Sequence, residues 1–253
     1  MTEPEPQPPL DADGQIRLHK LLAQSGIASR RKCEEMMLAG RVEVDGEVVT
    51  RLGVKVDPRT AVIRVDGKRL PPLSDHVYLV LNKPRGVVST MHDPDGRPSL
   101  ESLVANRPER LFHVGRLDTD TDGLILLTND GALAQRLAHP SFGVSKTYVA
   151  QVTGVIRPAT VNRLLAGVDL EDGLVRADRF VVKQTHGGRS LVELVIHQGR
   201  NRIVRRMLDH VGHPVHRLTR TAIGGVRLRD LPPGQLRALT ADELGVLLDQ
   251  TDR

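Results

Sequence analysis

Three aspartates alternate in "GRLDTDTDGLILLTND", residues 115–130: Asp118, Asp120 and Asp122. Carboxylates at this spacing suit two chemistries. Asp-x-Asp-x-Asp-Gly opens a calcium loop, whose alternate side chains converge on one hard cation. Read from Gly115 instead, the residues form an Arg-Leu-Asp turn running into a strand. That turn sets one carboxylate beside Arg116, as a nucleophile or general base requires. The calcium reading fails at the twelfth loop position, where a bidentate Glu is needed and Asn129 stands. It also needs a flanking helix where "LILLTN" reads as a strand. A second cluster, His210, His213 and His216 in "HVGHPVH", could gather a transition metal. Gly212 and Pro214 break the helix between them, and Asp209 is the one acid nearby, so no metal site is expected.

Two basic stretches suggest a polyanion. In "SRRK" (29–32), Ser29 can cap a helix whose first turn carries Arg30, Arg31 and Lys32. The helix dipole disfavours cations there, whereas an RNA backbone would suit both the cations and the free amides of that turn. In "GRNRIVRRM" (199–207), Arg202 and Arg206 stand four apart on a helix and Arg205 about 100° away. They cannot all face one partner, so some can hold phosphates while one turns inward to a carboxylate.

The charge of the whole chain agrees. Its 253 residues carry a net +5; residues 16–74 hold twelve bases against seven acids, and residues 199–229 eight arginines against one acid. Residues 1–15, with four acids and no Lys or Arg, read as a disordered acidic, Pro-rich tail. They show no basic or apolar signal region, and no apolar run approaches the ~18 residues of a membrane span, so a cytoplasmic protein is expected. The single cysteine, Cys33, excludes an internal disulfide and a Cys-based zinc finger. Aromatics are limited to two Tyr and three Phe, which argues against RNA modules that stack several bases.

These residues need elements to position them. "IRLHKLLAQSG" and "RRKCEEMMLAG" read as two short helices, and "VDGE" and "VDGK" as Asp-Gly hairpins, giving a small ααβ domain over 16–75 with "LPPLSD" (70–75) as its linker. The larger domain, 76–253, begins with the buried strand "HVYLVLN" and the turn "KPRG". "GLILLTN", "KTYVAQVTG" and a hairpin turning at Gly187-Gly188 supply more strands. Helices are predicted from Asp130, from Pro158, over "NRIVRRMLDHVG", and after a Thr240/Glu243 capping box. No βαβ repeat emerges, so the fold is α+β around a mixed or antiparallel sheet.

In this order the segments resemble a family. "HVGRLDTDTDGLILLTNDG" resembles the central motif of bacterial pseudouridine synthases of the RsuA/RluB type, "LNKPRG" their upstream motif, and "KTY" the segment of their active-site tyrosine. "ELVIHQGRNRIVRRMLDHVGHPVHRLTR" resembles their third motif, and residues 16–70 the alpha-L RNA-binding domain. "GRNR" and the length point to the RluB-like large-subunit branch. Gln198 stands where the family usually has Glu, and Ile203 where it has Gln or Glu.

The resemblance implies an isomerase that converts uridines of ribosomal RNA to pseudouridine without a cofactor, with 23S favoured and 16S left open. It implies Asp118 as the catalytic carboxylate and Arg205 as its cationic partner. Arg116 would displace the target base, Tyr148 would pack on it, and Leu194 or Ile196 would lie beneath it. RNA contacts are expected from Arg30, Arg31, Lys32, Lys83, Arg200, Arg202 and Arg206. The partner would be ribosomal RNA or an assembling subunit, met by a monomer with no membrane association. A non-catalytic RNA-binding assembly factor on the same fold is the alternative.

Overall fold

The computed structural model describes residues 11, 14–58, 60–70 and 76–251. Most of the acidic tail and of the 70–75 linker lie outside them. The described residues fall into two compact units. One holds those up to Val77 with Pro108–Arg110 and Asn129–Ala132; the other holds Tyr78–Arg107, Leu111–Thr128 and those from Leu133 onward.

The small unit contains helices α1 (Leu18–Gln24) and α2 (Arg30–Leu38) and strands β1 (Ile16–Arg17), β2 (Val42–Val44), β3 (Glu47–Val48), β4 (Lys55–Val56), β5 (Ile63–Val65) and β6 (Lys68–Arg69). Ser29 caps α2 as predicted, its Oγ accepting from the Lys32 amide at 3.2 Å. Ile16 and Arg17 are not helical: they pair with Val56 and Lys55. Both Asp-Gly hairpins form, with positive φ at Asp45, Gly46, Asp66 and Gly67, the left-handed geometry that two-residue turns demand. Leu18, Leu22, Cys33, Met37 and Val42 close the core, each fully buried.

The large unit is built on a sheet of nine strands. They are β7 (Tyr78–Lys83), β8 (Phe112–Val114), β9 (Asp122–Thr128), β10 (Lys146–Thr153), β13 (Arg179–His186), β14 (Arg189–Ile196), β15 (Val215–Ile223), β16 (Val226–Arg227) and β17 (Leu236–Ala238). The spatial order is β13-β14-β10-β15-β9-β7-β17, with β16 on β15 and β8 on β9. The β9–β15 pair is parallel and the other pairs antiparallel, so the sheet is mixed. A side hairpin pairs β11 (Val168–Leu170) with β12 (Gly173–Val175). Helices α3 (Leu100–Val104), α4 (Gly131–Ala138), α5 (Pro158–Ala166), α6 (Ile203–His210) and α7 (Ala241–Thr251) complete the unit. The capping box before α7 forms in both directions, Thr240 N–H to Glu243 at 3.1 Å and Glu243 N–H to Thr240 Oγ1 at 3.2 Å.

Strand β15 was not legible in the sequence. Its run "VHRLTRTAI" intersperses arginines among its apolar residues, yet it is a central strand. One edge of β9 is divided: β15 takes Asp122 and Gly123, and β8 takes Leu126 to Thr128. Leu124 and Ile125 are left between them, and Arg220 Nε donates to the Leu124 carbonyl at 2.7 Å. Gly123 is required at the junction. Its φ is +110°, and a Cβ there would run into the backbone carbonyl oxygen of Arg220. Among the described residues no helix is long and apolar enough to cross a membrane.

Candidate active site

The Arg116-Leu117-Asp118 turn joins β8 to β9 and is fastened to the segment after β7. The Leu117 amide donates to Ser89 Oγ at 3.0 Å, and the Ser89 hydroxyl donates to the Leu117 carbonyl at 2.6 Å. Gly86 N–H donates to the Thr119 carbonyl at 2.7 Å, and Thr121 N–H to that of Asp118 at 3.0 Å. Gly86, the last residue of "LNKPRG", and Ser89 just after it thus hold the backbone on both sides of Asp118. Buried bonds of this kind fix a turn that has no regular structure of its own.

The three aspartates separate by partner. Asp122 accepts from Thr219 Oγ1 and, at 2.9 Å, from Arg217. Asp120 accepts from both terminal nitrogens of Arg202 at 3.2 Å, and Arg205 Nη2 lies 3.3 Å from its Oδ2. Burial opposes ionisation of Asp120, but the bond from Arg202 and the charges of Arg205 and Arg202 outweigh it and hold its carboxyl below the usual range. The Asp118 carboxylate, about a third exposed, lies 3.6 Å from Arg202 Nη1. Every aspartate of the alternating run is therefore matched by arginine, and the described residues contain no group of acids and histidines fit to hold a metal.

The expected pairing of Arg205 with Asp118 is not formed. Arg205 Nη2 is held by the Asp120 carbonyl at 2.9 Å and Nη1 by the Val215 carbonyl at 3.2 Å, which aims the guanidinium at Asp120. The arginine paired with Asp118 is instead Arg202, which caps the start of α6 in the left-handed conformation, φ 48°.

Asp118 lines a cleft of about 300 Å³ together with Arg116, Lys146, Tyr148, Gln198 and Arg220. Arg116 is exposed. Tyr148 is half-buried against the apolar core, opposite Leu194 on one side and Arg220 on the other. Leu194 and Ile196 are buried in that core and do not line the cleft; Leu218 and Ile223 do. A second hollow, of about 550 Å³, is lined by Ser89, Thr90 and His92 and shares Arg116, Asp118 and Arg202 with the first.

Arg30 and Arg31 are exposed, and so is Lys32, which pairs with Glu35 at 2.7 Å. Lys83 departs from expectation: it is fully buried. Its ammonium donates to the carbonyls of Val87 at 2.7 Å and Pro84 at 3.1 Å, so it fastens the turn and does not meet RNA. Arg200 and Arg206 are also engaged internally. Arg200 donates to the Asp172 carbonyl at 2.7 Å, and Arg206 forms two bonds to the Asp172 carboxylate at 2.8 and 2.9 Å, tying α6 to the β11–β12 hairpin. The three histidines do not share one centre: His210 meets Arg163, while His213 and His216 both meet Thr153, at its carbonyl and its hydroxyl. Sequence reasoning missed Lys146 and Arg220, the first as a strand residue beside Tyr148, the second as one more base in an arginine-rich block.

Residues 77–210 match the family model for RNA pseudouridylate synthase, and residues 16–62 match that for the S4 domain. The chain belongs to the RNA pseudouridine synthase family. An uncharacterized RNA pseudouridine synthase of Mycobacterium bovis is 54% identical over 92% of each chain. Ribosomal large subunit pseudouridine synthase B of Bacillus subtilis is 43% identical, over 90% of this chain and 93% of the relative. A crystal structure of a pseudouridylate synthase superposes with a TM-score of 0.64 at 28% identity, covering 92% of this chain and 99% of the other. The synthase is thus an isomerase acting on RNA, with an α+β catalytic unit and an RNA-binding S4 domain before it.

Proposed function

We propose that this synthase converts uridine to pseudouridine in ribosomal RNA, in the 23S molecule of the large subunit, with Asp118 as the reacting carboxylate. The observation that carries the reading is the cleft in which Asp118, Arg116 and Tyr148 meet. The Bacillus subtilis relative, named for the large ribosomal subunit, supports the choice of RNA.

The reaction breaks the bond from N1 to C1′ and joins C5 to C1′; C5 gives up a proton and N1 takes one, so the product is an isomer. The Asp118 carboxylate attacks C1′ or removes a proton from the ribose. Arg202, held in turn by Asp120, places positive charge beside it. Arg205 acts one step away by anchoring the Asp120 backbone. The target base leaves its stack, at a cost of a few kcal/mol, and rests on the ring of Tyr148 while Arg116 occupies the vacated space. Arg30, Arg31 and Lys32 supply phosphate contacts that carry affinity without reading sequence. The protein works as a cytoplasmic monomer on ribosomal RNA or an assembling subunit.

The test is a map of pseudouridine in ribosomal RNA from cells lacking the protein, complemented with wild type or Asp118→Asn. One 23S site lost on deletion and restored by wild type alone is expected. A lost site in 16S RNA would overturn the choice of subunit, and restoration by Asp118→Asn would overturn the role of the carboxylate. An unchanged map would overturn ribosomal RNA as the substrate.

A further inference from the structure

The wall of the cleft beside Tyr148 has an unusual composition. Lys146 and Tyr148 alternate on β10 and so share a face. Arg220 is the register partner of Tyr148 on β15, and Gln198 follows β14 two residues after Ile196, the register partner of Lys146. All four line the cleft. Arg220 is 4% exposed, and one of its terminal nitrogens, Nη2, has no hydrogen-bond partner among the described residues. Gln198 Oε1 is likewise buried and without a partner. Lys146 Nζ has one distant contact, the His197 carbonyl at 3.5 Å. No carboxylate lies within 4.0 Å of either cation among the described residues.

Unpaired buried donors and acceptors are unfavourable, and two like charges placed together add to that cost. Burial and the neighbouring Arg220 push the Lys146 ammonium down to about 8. Such a wall needs a ligand that presents acceptors to the cations and a donor to the amide oxygen. The pairing edge of uracil is acceptor, donor, acceptor: O2, N3–H, O4. Enzymes that extrude a base read it along this edge.

We infer that Lys146, Arg220 and Gln198 select uracil by its edge, the cations donating to the O4 carbonyl and Gln198 Oε1 accepting from N3–H. This inference rests on the reading of the cleft as the seat of a flipped uridine. Cytosine presents an amino donor to the cations and a bare N3 to the amide oxygen, so it is rejected on two counts. A phosphate would satisfy the cations but set its oxygens against Gln198 Oε1. Tyr148 holds a base by its face and cannot tell one pyrimidine from another. Discrimination therefore belongs to the three polar side chains.

The experiment is an NMR-detected titration of the full chain with uridine 5′-monophosphate, cytidine 5′-monophosphate and ribose 5-phosphate. The wild type is expected to favour the uridine nucleotide by at least about tenfold, the worth of one charge-assisted hydrogen bond. Lys146→Met and Gln198→Leu, which keep side-chain volume, are each expected to reduce that preference while leaving ribose 5-phosphate unchanged. Equal binding or no binding of the three ligands by wild type, or a preference surviving both variants, overturns the inference. Parallel weakening of all three ligands in Lys146→Met assigns the wall to phosphate and overturns it too. Wild-type turnover on unmodified ribosomal RNA transcripts is measured separately. Turnover without nucleotide selectivity sinks the edge reading alone; selectivity without turnover sinks the proposed reaction.

Discussion

Lys83 offers a test in which solvent exposure and burial predict opposite results. Its ammonium is fully buried, and burial lowers it from an ordinary 10.5 to about 8, although Asp122, Asp118 and Asp120 pull the other way. A shift of that size corresponds to about 3 kcal/mol between the two protonation states. The unfolded chain keeps this proton until about pH 10.5, whereas the folded chain releases it above about pH 8. Between those values the unfolded state binds more protons, so stability rises with pH across the window. From about pH 7.5 to about pH 9.5 the expected gain is about 2 kcal/mol. Lys83→Met removes that gain. At neutral pH the variant loses a buried charge but also leaves two carbonyls unpaired, at about 1–3 kcal/mol each, so its absolute stability is a poor guide. The change with pH isolates the ammonium, because every other titration, that of Lys146 included, is common to both proteins. Urea unfolding at the two pH values supplies the measurement. Wild type should gain about 2 kcal/mol relative to Lys83→Met. Parallel pH profiles would show that the ammonium reaches water and would refute the buried anchor.

Asp120→Asn should lower single-turnover pseudouridine formation by about ten- to a hundredfold with little change in RNA affinity, because Asp120 positions both Arg202 and Arg205; equal losses in both would place Asp120 in RNA binding instead. Gly123→Ala should destabilise the catalytic unit by about 2–4 kcal/mol, as the new Cβ meets the Arg220 backbone in a left-handed region, and a thermal unfolding temperature within a degree or so of wild type would contradict the close strand approach. Replacing Arg30, Arg31 and Lys32 together with alanine should reduce the slope of log affinity against log salt by about two to three, measured by filter binding on ribosomal RNA; an unchanged slope would remove α2 from the interface.

The sequence by itself determined the local elements and the family to which the chain belongs. Two-residue turns are set by the residues inside them, so both Asp-Gly hairpins and the Gly187-Gly188 hairpin were legible. Capping is equally local, which is why Ser29 and the Thr240/Glu243 pair were found. The calcium alternative could be rejected because loop positions count along the chain. The destinations of the long basic side chains were a different matter. Lys83, Arg200, Arg205, Arg206 and Arg220 have the same charge as exposed Arg30, yet Lys83 turns in to a carbonyl of its own turn, and the four arginines reach carbonyls or carboxylates of distant segments. Whether such a side chain meets RNA, Asp118 or Asp120 depends on where the parallel β9–β15 pairing begins and how α6 enters. Those are contacts between residues about a hundred positions apart, as Asp122 and Thr219 are. Charge and spacing fix what an arginine can bind; only the tertiary structure decides which acceptor lies within its reach and how far from water the two meet.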